Sequence, residues 1–509
     1  MACFDLAAVF TDHMVLQRNK KINIWGSAYT GFEVTAEING NTASAKSVGG
    51  KWLLSLPPME AGGPYDLTVK DGSGAEIVLH DVMIGEVWLA GGQSNMELEL
   101  RNALNGKEVL ANIKDDVNVR FYYTQKISYI DDYFHFAERN TCWTVASPET
   151  AGSYSAVGYY FARKLASELG VTVGIIGCNW GGTSASAWTA RQSMERDLDT
   201  KMYVDDYDNA MSEMTLEGYN KKLAEYQIWY NEWQPKINEY YAKNPNGSWD
   251  EAQAYAGESQ WPEPLGPRSP YRPSGLYETM LMRNCPYSMA GFIYYQGESD
   301  DHRPYTYYKL FKALIEQWRS DWEDDSMPFL FVQLPMFMNK GDEDIKHWCV
   351  IREAQMRVHQ TIKNTGIAVI LDKGEFDNIH PVDKEPVGER LALQALYHVY
   401  DKISGDEAYG PVYKSFEYVD GGMMLSFDHA KNGFDLKGEK AVGFEIAGQD
   451  KKFYPADAWF KEDKIFVRSA EVSEPMYLRY NWVNYGDVTI FGKNGIPLAP
   501  FRTSRNDEL

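Results

Sequence analysis

The 509-residue chain is poor in cysteine and in positive charge. Its five cysteines, Cys3, Cys142, Cys178, Cys285 and Cys349, are odd in number and far apart, and no C-x-x-C occurs. That spacing argues against a disulfide scaffold and a zinc ribbon and leaves scattered thiols. Lys and Arg total 50 against 72 Asp and Glu, a formal charge of −22, and no basic run offsets it locally. A chain so acidic repels phosphate backbones, so nucleic acid is not an expected partner. No run of 18 or more apolar residues exists, which argues against a membrane span. None of the nine histidines forms an H-x-x-x-H pair and no EF-hand loop occurs, so neither a metal centre nor another cofactor is expected. The start, MACFDLAAVF, lacks the charged head and long apolar core of a signal peptide. The terminal NDEL does not match an ER-retention signal.

Aromatic residues are abundant, with 15 Trp and 34 Tyr. The length suggests about three domains at roughly 100–200 residues each. Residues 1–83 read as an N-terminal β-sandwich-like domain, with short alternating runs (KINIWG, EVTAEING, KWLLSLP, YDLTVK) between turn signals such as Asn39-Gly40 and Asp71-Gly72. From 84 to 405 the pattern becomes strand–helix alternation. Apolar runs at 87–90, 173–177, 291–296, 329–334 and 368–372 are separated by helical stretches such as SAVGYYFARKLASEL and VIREAQMRVHQTIKN. This predicts an α/β domain with a parallel sheet covered on both faces, and ligands bound beyond the carboxyl ends of its strands. More than a hundred residues separate the second and third runs, too many for an ordinary crossover. We read 193–272 as a helical insertion, with Pro235 as a kink or break and loop aromatics suited to packing or to a sugar face. Residues 406–509 read as a C-terminal β-domain.

The stretch EVWLAGGQSNMELEL at 86–100 poses the functional question. Ser94 and Glu97 fit the S-x-x-E capping box at a helix start, a purely structural role. Yet three other strand-end loops converge on the same rim: Cys178-Asn179-Trp180-Gly181-Gly182-Thr183, Gly297-Glu298-Ser299-Asp300 and Phe376-Asp377-Asn378-Ile379-His380-Pro381. Together they offer acyl transfer. Ser94 attacks an ester carbonyl, His380 acts as general base, and Asp377 orients the imidazole. The backbone N–H groups of Ser94 and Gly182 face the oxyanion. A helix start favours negative charge, so the cap and the nucleophile are compatible. Met96 occupies the place of the second glycine of a G-x-S-x-G elbow, so this is not the α/β-hydrolase design.

The blocks GQSNM, a Gly-Gly-Thr loop, QGESD and DNIHP, in that order, resemble the SGNH (GDSL-like) hydrolases, and among them the sialate O-acetylesterase and acetylxylan esterase branch. FTDHMVLQR, EAGGPYDLTVK, FYPADAWF and APFRT extend the resemblance over most of the chain. It implies a flavodoxin-like sheet flanked by β-domains and a serine esterase acting on O-acetylated carbohydrate without a cofactor. In this chain it implies Ser94 as nucleophile, Asp377 and His380 as its partners, and Gly182 (with Gly181 a close second) as an oxyanion donor. The third block departs from the common Asn of such enzymes. Gln296 becomes the candidate third donor, because its amide can donate, and Glu298 the alternative acid. The resemblance implies a sialate or a plant-polysaccharide acetyl ester as substrate; the acidic surface repels a sialate carboxylate at long range unless a local arginine offsets it, and Arg303 and Arg352 are candidates for that role or for structural salt bridges. It further implies a periplasmic or secreted enzyme, with a cytoplasmic place left open. Two rivals stand beside this reading. A glycan-binding protein would not need Ser94 and His380 together, and a lipase-like or peptide hydrolase would want an apolar lid that is not evident. The oligomeric state is not legible.

Overall fold

Alternating burial builds the N-terminal strands. Glu33–Ile38 buries Val34, Ala36 and Ile38 and exposes the residues between, and Lys51–Leu56 does the same with Trp52, Leu54 and Leu56. A computed structural model describes residues 4–113, 118–244 and 249–507. Cys3 and the last two residues of the NDEL tail lie outside the described residues.

Six parallel strands carry the site: β1 (Glu76–Gly92), β2 (Val119–Tyr123), β3 (Val173–Asn179), β4 (Gly291–Tyr295), β5 (Phe329–Gln333) and β6 (Thr365–Val369). Their order across the sheet is β2-β3-β1-β4-β5-β6, with Thr144–Val145 antiparallel at the β2 edge. Every residue of β3, β4, β5 and β6 is buried, as expected of strands covered on both faces. β6 starts three residues before the apolar run expected at 368–372, because Leu371–Lys373 turns into a 3₁₀ segment. β2 escaped the sequence reading.

The expected boundary at 83/84 falls inside β1. The first half of this strand pairs antiparallel with Gly62–Lys70, and the second half pairs parallel with β3 and β4. One hydrophobic core therefore runs from Ile38 and Val69 through Val87 and Leu89. The C-terminal strands, from Val412 on, bury a separate core of Met423, Leu425, Ile465 and Val467.

The helices that bear on the site include α1 (Ser94–Glu97), α2 (Ala156–Leu169), α3 (Leu198–Ser212), α4 (Leu216–Lys243), α5 (Tyr307–Asp321), α6 (His347–Thr361) and α7 (Glu385–His398). Ser155 caps α2 by accepting from Gly158 N, and Gly170 ends it in the left-handed conformation. In the insertion, α4 runs through Pro235 without a break. Trp233 and Ile237 pack with Ala252 and Ala256 into a small core of their own, which offsets the hydrogen bond that proline removes. No helix of the described residues is long and apolar enough to cross a membrane.

Candidate active site

The loops after β1, β3 and β4, and the one beyond β6, meet at the carboxyl edge of the sheet. At the end of β1, Gly92 has φ +136, and a Cβ there would lie 2.1 Å from the carbonyl oxygen of Tyr295. Only glycine lets β1 turn this close to β4, and the turn delivers Ser94 to the rim. Ser94 is the first helical residue, not the N-cap. Gln93 holds the cap position without a side-chain bond. The expected capping box is therefore absent. Ser94 Oγ lies 2.8 Å from His380 Nε2, and Glu97 accepts from Gly181 N at 2.6 Å and pairs with Lys126. Among the described residues, no acceptor takes the N–H of Ser94 or of Gly182.

His380 is positioned by its own loop. Asn378 Oδ1 accepts from His380 N at 3.0 Å, and Glu375 accepts from Asn378 Nδ2 at 2.7 Å and from Val382 N at 3.0 Å. Asp377 was expected to hold the imidazole, but the structure does not bring the two together. Its backbone is left-handed (φ +60) and its Oδ1 accepts from Lys340 N at 2.8 Å. Glu298, the alternative acid, does not reach the ring either. Its Oε1 accepts from Asn95 Nδ2 at 2.6 Å, and its Oε2 is buried without a partner among the described residues.

Asn95 is the residue the sequence reading missed. Its amide also donates to Ile379 O at 2.9 Å, and its Oδ1 accepts from Lys384 Nζ at 2.6 Å. One buried side chain thus ties the Ser94 turn, the Glu298 loop and the residue before His380. The only signal for it was its place beside Ser94. Burial pushes the Glu298 carboxyl up to about 7 and the Lys384 ammonium down to about 7. His380 is exposed at the cleft mouth, yet the surrounding protein, and then the Lys384 charge, hold its imidazole below the usual histidine value, with Glu97 opposing.

Gln296 is not free to serve as an oxyanion donor. Its Nε2 donates to Asp300 Oδ2 at 2.6 Å and to Thr183 O at 3.3 Å, so both amide hydrogens are engaged. Asp300, fully buried, in turn accepts from Ser184 Oγ at 2.6 Å and Ala185 N at 2.9 Å. The QGESD block therefore shapes the loop that carries Gly182. Arg352 is 1% exposed on α6 and donates to Val483 O and Pro335 O, which removes it as a substrate ligand. Arg303 pairs with Asp206 of the insertion over the Tyr203 ring.

Ser94, His380, Gly181, Glu97 and Lys126 line a cavity of about 670 Å³. Gly182, Trp261 and Tyr271 line a second one of about 330 Å³, walled by the helical insertion.

A family model described as carbohydrate esterase, sialic acid-specific acetylesterase, matches residues 254–396. The chain is similar to the sialate O-acetylesterase of Mus musculus, 27% identical over 95% of this chain and 90% of that protein. It is likewise similar to the sialate O-acetylesterase of Homo sapiens, 25% identical over 78% of this chain and 71% of that one. Among solved structures it is similar to a carbohydrate acetylesterase from Xanthomonas citri, with a TM-score of 0.79 and 30% identity over 98% of this chain and 99% of that one.

Proposed function

Since the chain belongs to the carbohydrate acetylesterase family, we propose that it removes O-acetyl groups from carbohydrates through an acetyl-enzyme on Ser94. The observation that carries this reading is the 2.8 Å contact between Ser94 Oγ and His380 Nε2, with the backbone N–H groups of Ser94 and Gly182 left without an acceptor among the described residues. For Nε2 to accept the hydroxyl proton, the imidazole proton must sit on Nδ1. Ser94 then attacks the acetyl carbonyl, and the N–H groups of Ser94 and Gly182 bind the oxyanion. His380 then gives that proton to the sugar oxygen as its bond to the acetyl carbon breaks, which frees the sugar hydroxyl and leaves the acetyl-enzyme. It next takes a proton from water, which attacks the acetyl-enzyme, and passes that proton to Ser94 Oγ as acetate leaves.

No carboxylate bonds Nδ1 among the described residues, so Ser94 and His380 act as a dyad. Glu97 supplies the negative charge that favours the imidazolium, and the loop anchored by Asn378 and Glu375 supplies orientation. This catalytic assignment rests on that geometry and on the family's serine chemistry. The proposed place of action is the periplasm or the cell exterior.

The named relatives make O-acetylated sialic acid the first substrate to test. A neutral acetylated glycan, such as an acetylated xylo-oligosaccharide, is the second, favoured by the engagement of Arg303 with Asp206 and the burial of Arg352. Acetate release from both, by the wild type and by Ser94→Ala, tests the proposal. Loss of release in the variant is expected. Undiminished turnover by Ser94→Ala would remove Ser94 as nucleophile.

A further inference from the structure

The second cavity adjoins the nucleophile through a short chain of contacts. A Cβ built on Gly181 would lie 3.3 Å from Ser94 Cβ, and one built on Gly182 would lie 2.6 Å from Trp261 Cζ2 and 3.3 Å from Tyr271 Cε1. Trp261 thus packs its ring edge against the candidate oxyanion loop. Its Nε1 donates to Tyr271 Oη at 3.1 Å, and the two rings meet edge to face. An indole held at its edge and its polar atom is fixed in orientation, yet Trp261 is 55% exposed. A large apolar surface left open and rigid beside a reactive centre is a binding surface in want of an occupant.

The polar groups around it indicate which occupant. Asp206 and Arg303 pair with each other, so together they are neutral. Glu263 has no hydrogen-bond partner among the described residues. The cavity therefore combines an apolar face with an unengaged acceptor, Glu263, and an unengaged donor, the Arg303 Nη1 that is buried without a partner among the described residues. In the larger cavity, Lys126 is likewise engaged by Glu97. A carboxylate meets only cations already paired with Asp206 or Glu97, and in the smaller cavity it also meets the Glu263 charge. A pyranose ring fits both requirements. Its C–H face is apolar and its hydroxyls donate to carboxylates. The volume of about 330 Å³ is at the lower end of small-ligand sites.

We infer that this cavity is a sugar subsite, in which an uncharged pyranose unit of the acetylated glycan stacks on Trp261 and donates a hydroxyl to Glu263. The inference rests on the esterase reading of Ser94 and deepens it. It assigns the insertion a role in gripping the sugar while the acetyl group lies over Ser94.

The test compares two substrates on the full-length enzyme: an acetylated neutral xylo-oligosaccharide, and 4-nitrophenyl acetate, which has no pyranose. Trp261→Ala is expected to raise KM for the oligosaccharide about tenfold, the loss typical of a central aromatic anchor. Its effect on 4-nitrophenyl acetate should be several-fold smaller, and Trp261→Phe should recover most of the oligosaccharide KM. Glu263→Gln should raise the same KM by a smaller factor. Equal losses on the two substrates would overturn the subsite and leave Trp261 a support for the Gly182 loop. A wild-type kcat/KM higher for O-acetylated sialic acid than for the neutral oligosaccharide would overturn the uncharged assignment. A wild type that cleaves 4-nitrophenyl acetate but no acetylated sugar would instead overturn the carbohydrate reading itself.

Discussion

Replacing Lys384 by methionine isolates the buried cluster beneath Ser94 and His380. Lys384 is 1% exposed, donates to Asn95 Oδ1 at 2.6 Å and lies over the Tyr295 ring. Methionine has a similar length, so the cavity contribution is small. Asn95 Oδ1 loses its donor, which costs about 1–3 kcal/mol for a buried acceptor. Stranding a bare carboxylate would cost more, roughly 3–5 kcal/mol. Here that is avoided, because the Glu298 carboxyl already stands at about 7 and rises further once the cation is gone, so in the variant it is mostly protonated at neutral pH. The smaller loss is therefore expected, measured by urea unfolding. The wild type also carries a pH signature. Lys384 titrates near 7 when folded against 10.5 when unfolded. The unfolded chain holds more protons in that window, so stability rises with pH there, and the variant lacks this rise. Activity gives the sharper readout. The Lys384 charge lowers the His380 imidazole, and His380 must be neutral to accept the Ser94 proton. Without that charge, the acid limb of kcat/KM for 4-nitrophenyl acetate moves to higher pH, whereas Lys384→Arg keeps it in place. A folded Lys384→Met enzyme whose acid limb stays put, or moves to lower pH, would refute the electrostatic argument.

Glu97→Gln should move the same acid limb the other way, to lower pH, because the Glu97 charge raises His380; a pH–rate profile decides it. Asp377→Asn should change kcat/KM by no more than about threefold, since the Oδ1 that accepts from Lys340 N survives. A drop approaching the roughly ten-thousandfold loss of a true triad acid would restore Asp377 to His380. Gly182→Ala should lower kcat by about tenfold or more, because the new methyl collides with Trp261 at φ +73 and turns the proposed oxyanion N–H aside. Arg352→Met should leave KM nearly unchanged and shift the unfolding midpoint, since the guanidinium serves backbone carbonyls of Val483 and Pro335.

The strands β1, β3, β4 and β5 were legible because parallel strands buried on both faces read as continuous apolar runs. β2 was not, because Arg120 interrupts VRFYY; its charge is met by Asp81 in the first half of β1 and by His13 O, partners no local pattern announces. The boundary expected at 83/84 falls inside β1 for a related reason. Composition changes there, but the strand does not end, and pairing partners change along its length. Ser94 and His380 were readable as residue types at strand ends, although 286 positions separate them. What each polar side chain bonds was not readable. Gln296 could donate to an oxyanion in principle, but Asp300 and Thr183 take its amide. Asp377 sits three residues before His380 but faces Lys340, because a left-handed backbone turns it away. Sequence by itself determined periodicity, and so which side chains arrive at the carboxyl rim of the sheet. Only the tertiary structure decided which hydrogen bond each of them makes, because a buried polar group takes whatever partner the packing brings within about 3 Å, however distant in the chain.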